Sequence, residues 1–210
     1  MVPPIRPISP ISDATGSNRD RSNPQFSRGP ANGKGPMFEP LSVNMRPLSE
    51  DKLDDSGRAK AADFAKRILV PSFVPNLNKL VDIGNQYLRE ARNGAPKEAL
   101  SAMAKDFNAI AMVLKAEILN YSRWAENVYP DPSPERSVMR GVSHHVNNYT
   151  FPPVMYLEFM ARSGPTPEIL ETVSDSLQRL AWVAARLEGA SKDPAEIEPL
   201  IFLSHFDVKA

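Results

Sequence analysis

The sequence predicts an all-α protein: an antiparallel, left-handed bundle of four main helices plus short ones, preceded by an extended proline-rich arm. Three observations carry that expectation. Nine of the 21 prolines and four of the ten glycines fall in residues 1–47, which contain no Trp, no Tyr and no apolar periodicity. From about residue 49 apolar residues recur at helical spacing between recognisable caps. Two segments then hold a three-four alternation over many turns, the seam by which antiparallel helices pack at a shallow angle. The chain therefore divides into an arm, residues 1–48, and a helical domain with an apolar tail, residues 49–210.

The arm opens with a triplet repeat, Pro4-Ile5-Arg6, Pro7-Ile8-Ser9, Pro10-Ile11-Ser12. Polyproline II has three residues per turn, so Ile5, Ile8 and Ile11 fall on one edge of an extended rod. Such a rod loses little entropy on docking and suits an apolar groove on another protein. Residues 13–36 are turn formers and charges, the composition of a flexible linker. Phe26 and Phe38 stand out in this stretch as single aromatic anchors for a partner. The segment Gly29 to Gly35 contains a lysine but lacks the Gly-Lys-Ser/Thr ending of a phosphate loop.

The helical domain reads as follows. A first helix is expected from about Ser49 to Val70, stopped by Pro71, and a second from Pro75 to Asn93-Gly94, where glycine suits the left-handed end residue. Pro96 opens the longest helix, to about Val128. Its seam is Leu100, Met103, Phe107, Ile110, Leu114, Glu117, Tyr121, Trp124 and Val128, apolar except at Glu117. Either Glu117 faces the seam as a buried carboxylate, or a small rotation puts Ile118 inward instead. The turn Tyr129-Pro-Asp-Pro-Ser-Pro134 forbids helix. A short helix follows over 135–148, with Val138, Val142, His145 and Tyr149 inward. Phe151-Pro152-Pro153 is expected to break it before another short helix over 154–162. Thr166 caps a second heptad helix from Pro167 to Leu187, with Gly189 just past its end. Asp193 and Pro194 then start a turn that Pro199 interrupts, and the apolar tail Leu200 to Phe206 needs covering.

Composition limits the chemistry. The chain has no cysteine, so disulfides and thiolate metal sites are excluded. Net charge is zero, with the arm three positive and the remainder three negative, which is no footprint for nucleic acid. No apolar run is long enough to span a membrane, and the first residues lack the apolar core of a secretory signal. His144, His145 and His205 are the candidate metal or acid-base groups. Adjacent helical histidines diverge by about 100°, and no Glu-x-x-His or His-Glu-x-x-His occurs. They read as core or boundary residues, and no catalytic residue, cofactor, metal or small-molecule ligand is expected.

The expectation is thus a non-enzymatic structural or docking subunit of a larger protein assembly, anchored through its arm. The alternatives are a secreted bacterial effector or adaptor with an export signal in the arm, then a small helical enzyme or metal carrier. The residues expected to meet other proteins are Ile5, Ile8, Ile11, Phe26 and Phe38 in the arm. In the domain they are Tyr121, Trp124 and Tyr129 at one end of the long helix, and Phe202 and Phe206 in the tail. Localisation is not legible from these residues.

Overall fold

Asp54 starts the first helix, α1 (Asp55–Phe64), its side chain accepting the Gly57 amide at 2.6 Å. A carboxylate there satisfies one of the amide donors that a helix start leaves without a partner. This computed structural model describes residues 53–201, so the arm and the tail beyond Ile201 lie outside the described residues. The helix expected from Ser49 begins only at Asp55, because Asp54 is extended and spends its carboxylate on the cap. Every regular element among the described residues is helical.

Pro71 and Pro75 do not separate two helices, as the sequence suggested. α1 passes through one π-turn (Ala65–Leu69) directly into α2 (Val70–Arg92). Proline lacks the amide that closes a helical turn and crowds the carbonyl four residues back. The π-turn provides the room: the Val70 amide bonds Ala65, five residues back, and the widened turn ends just before Pro71. The carbonyls that lose their donors at Pro71 and Pro75 belong to Arg67 and Pro71, both of them exposed residues. Gly94, at φ 74°, ends the helix as expected.

Proline also fails to break the fourth helix. α3 (Lys97–Val128) and α4 (Pro134–Ser163) flank the proline turn, and α4 runs unbroken through Pro152 and Pro153. The two expected short helices are one. Asn148, whose carbonyl loses its donor at Pro152, is exposed to water, and Pro153 is buried with Leu157 and Met160 around it. Packing of a whole amphipathic face thus outweighs a local cost of about 3 kcal/mol per interior proline. Thr166 caps α5 (Pro167–Ala190), which continues one residue past Gly189.

The four long helices close a ring, α2 on α3, α3 on α4, α4 on α5 and α5 on α2, running up, down, up and down. Antiparallel neighbours are tied at matching levels. Ser72 bonds Tyr121 at 3.0 Å and Asn76 bonds Glu117 at 3.1 Å between α2 and α3. Ser122 and Ser143 meet at 3.0 Å between α3 and α4, while Lys97 donates to the Arg162 carbonyl at 3.2 Å. The buried line of α3 is Leu100, Ala104, Phe107, Ala111, Leu114, Ile118 and Ala125. The helix is therefore turned slightly from the expected seam. Ile118 takes the inward place and Glu117 sits half-buried at the α2 boundary, accepting from Asn76, while Val128 is exposed.

Phe73, Leu80, Tyr87, Phe107, Leu114 and Leu177 are among the side chains filling the centre. Tyr87 crosses it, donating its hydroxyl to the Leu157 carbonyl at 2.6 Å. Burial pushes that phenol up to about 12, so it stays a donor at any neutral pH.

The chain returns along the bundle in a 3₁₀ turn (Pro194–Ile197) and a last helical turn, α6 (Glu198–Ile201). Pro199 does not interrupt it, because a proline in a first helical turn sacrifices no hydrogen bond. Ile197, Leu200 and Ile201 are buried on the bundle, and Arg58 holds Glu198 at 2.7 Å. The Leu200 carbonyl passes so close to α4 that a Cβ on Gly141 would lie 1.9 Å from it. Only glycine permits that approach.

Two glycines make a test of that packing. Gly141→Ala drives a methyl into backbone and should cost more than about 2 kcal/mol, with lost amide protection over residues 197–201. At Gly84 the added methyl meets the side-chain end of Leu177, at 2.5 Å, rather than backbone, and the helix gains from alanine. Gly84→Ala should therefore cost clearly less in the same urea titration. Equal costs would contradict the close α4–α6 contact.

Candidate protein interface

Continuity of α4 through its prolines sets three large apolar side chains in register on its outer surface. Phe151, Met155 and Phe159 recur every four residues, a spacing that stacks side chains along one helix face. They are 58%, 55% and 48% exposed. On α3, Met112 and Leu119 are 72% and 50% exposed. Met112, Lys115, Leu119 and Ser122 succeed one another at three- and four-residue steps, and Ser122 touches α4 at Ser143. Met112 and Leu119 therefore lie on the flank of α3 nearest α4. The register fixed by the Lys97–Arg162 and Ser122–Ser143 bonds brings Met112 to the level of Phe151.

The same surface carries little charge: on α3 the half-buried Lys115 stands between Met112 and Leu119. Between Asp106 and Arg123 the exposed residues of α3 are Ala109, Met112, Val113, Ala116, Leu119 and Asn120. Beside the α4 stripe stand Asn147, Asn148 and Ser163, with Glu158 and Arg162 neutralising each other at 3.0 Å. With side chains of roughly 200 Å² each, these exposures amount to on the order of 500 Å² of apolar surface. A patch of that size is at the upper end of what a single chain ordinarily exposes and such patches are often functional, whereas single exposed apolar residues need no explanation.

The expected aromatic end has a different character. Tyr121, Trp124 and Tyr129 are half-buried and packed against the core. Trp124 stacks on Phe64 at 6.3 Å and meets Tyr121 and Tyr129 edge-on at 6.3 and 5.8 Å. Tyr121 sets its edge on Phe73 at 5.3 Å. The five rings thus join α1, the start of α2, the end of α3 and the proline turn, with only their rims left for a partner. Burial, with the charges of Glu135 and Asp63, raises the Tyr129 phenol above its ordinary value. Ile5, Ile8, Ile11, Phe26, Phe38, Phe202 and Phe206 lie outside the described residues.

His145 is buried, bonded through Nδ1 to the Tyr149 hydroxyl at 3.3 Å and edge-on to Trp182 at 5.6 Å. No hydrogen bond of normal geometry reaches its Nε2. Burial, then the neighbouring His144, lowers its pKa to about 4, against a weaker upward pull from the Leu200 and Pro199 carbonyls. His144 turns outward and bonds Asn148 at 2.9 Å. Among the described residues no three His, Asp or Glu side chains come together as a metal site, and no helix is long and apolar enough to cross a membrane. A wide-open recess of about 580 Å³ lies between the start of α3 and the end of α4. Its Lys97 is already engaged with the Arg162 carbonyl.

Comparison with protein-family models, with curated proteins and with solved structures returned no match.

The α3–α4 surface was missed by sequence reasoning because the prolines were read as a break. Its signal was nonetheless present in the Phe151, Met155, Phe159 spacing and in the uncharged outward positions from Ala109 to Asn120.

The buried His145 makes an acid-side prediction. The folded chain holds this imidazole neutral down to about pH 4, whereas the unfolded chain protonates it near 6.5. Its stabilising contribution is complete above pH 6.5 and is lost as pH falls toward 4. At pH 4.5 wild-type should have lost roughly 2–3 kcal/mol through this group alone. His145→Gln should lose that much less between pH 7 and 4.5 in paired urea titrations. Parallel losses in the two proteins would contradict the burial of a neutral ring.

Proposed function

We propose that this chain is a non-enzymatic docking subunit of a larger protein assembly, with the arm as its anchor and the bundle as its rigid body. The observation that carries this reading is the largely apolar surface of α3 and α4. A rigid bundle that leaves about 500 Å² of apolar side chain in water has that area to gain from a covering protein, at roughly 25 cal/mol per Å². The arm supports the reading from the sequence side, through the isoleucine triplet and the single aromatics Phe26 and Phe38. The rims of Tyr121, Trp124 and Tyr129 offer a smaller secondary contact. Other proteins are the partners this chemistry suits, since such a face offers no cation row for nucleic acid.

The test is co-purification of the tagged full chain with its native partners, identified by crosslinking and mass spectrometry. Replacing Ile5, Ile8 and Ile11 together by Ser should abolish recovery of the partner while thermal unfolding of the bundle stays put. Each isoleucine buried in a groove contributes on the order of 1.5–3 kcal/mol. Replacing Arg6, Ser9 and Ser12 should matter far less. Equal tolerance of both triple changes would reduce the repeat to a spacer and remove the arm from the proposal.

A further inference from the structure

The α4 stripe is a palindrome, the arrangement that a two-fold contact between identical helices requires. Phe151, Met155 and Phe159 place the same residue type at equal distances on either side of Met155. A two-fold axis through Met155 brings Phe151 of one chain onto Phe159 of another, twice, with Met155 meeting its own copy. Aromatic pairs and methionine–aromatic contacts are both favourable pairings. A surface that is its own complement is the requirement for a closed two-fold interface.

Charge agrees with this pairing. The same axis sets Arg162 opposite Asn148, Glu158 opposite Pro152 and Asn147 opposite Ser163. Like charges meet nowhere along the helix pair, and the ion pair between Glu158 and Arg162 can stay intact at the rim. Area agrees too. A standard interface buries about 800 Å² per partner, somewhat over half of it apolar, or roughly 450–500 Å². The exposed parts of Phe151, Met155 and Phe159 with Met112 and Leu119 supply that amount. Because Met112 lies at the level of Phe151, Phe159 of a second copy would land between them.

We infer that the chain forms a two-fold homodimer in which the outer face of α4 packs antiparallel on the same face of a second copy, Met155 on the axis. This rests on reading the α3–α4 surface as a docking face and names its occupant.

The chain contains no cysteine, so one introduced thiol reports on one position. Met155→Cys in the full chain, treated with a short thiol-to-thiol crosslinker at low protein concentration, should convert almost fully to a covalent dimer. Glu171→Cys, exposed on α5, should not. Light scattering should give twice the chain mass for wild-type, and Met155→Asp should raise the dissociation constant at least 100-fold with thermal unfolding unchanged. A wild-type chain that keeps the single-chain mass at high concentration overturns self-association. So does crosslinking of Glu171→Cys as efficient as that of Met155→Cys. The docking reading fails separately, when Met155→Asp leaves partner recovery in the co-purification assay untouched and wild-type is monomeric.

Discussion

Everything distinctive in this molecule depends on α4 continuing unbroken through Pro152 and Pro153. The missing amides cost local stability, yet the helix presents one unbroken inner face whose Val142, Val146, Leu157 and Met160 are all buried. A break at Phe151 would separate those residues into two short helices, each too short to hold itself in water. The continuous helix also puts the Leu157 carbonyl where the Tyr87 hydroxyl reaches it across the core. On its other side the same continuity aligns Phe151, Met155 and Phe159. Core and exposed stripe are two faces of one constraint.

The tension at Pro71 is settled by different means. There the chain inserts a π-turn, so that α1 and α2 act as one long element without a strained carbonyl contact. At Pro152 the stranded carbonyl belongs to Asn148, an exposed residue within reach of solvent. In both cases tertiary packing overrides a local preference that, read alone, ends a helix. The close passage of Leu200 over Gly141 then fastens the C-terminal turn to α4 and covers His145 from that side.

These overrides explain what was legible in the sequence. The helical class, the two heptad helices, the Thr166 cap and the Gly94 end follow from periodicity and capping, which act within a few residues. The helix boundaries at proline do not, because the energy that decides them comes from residues far away in sequence. Glu117 shows the same limit on a smaller scale: a rotation that buries Ile118 and leaves the carboxylate with Asn76 is set by α2. Tyr121, Trp124 and Tyr129 were legible as a cluster, but not that Phe64 and Phe73 would occupy their faces. Gly141 carries no local signal at all, since its neighbour Leu200 is 59 residues away.

The measurement that bears most directly on the account is sedimentation equilibrium of the full wild-type chain across low to high micromolar concentration. Two-fold pairing through α4 predicts a reversible rise from 23.2 kDa to twice that mass, with no larger species, because a closed two-fold contact leaves nothing to extend. A single mass of 23.2 kDa throughout would contradict it, as would open-ended growth past the dimer.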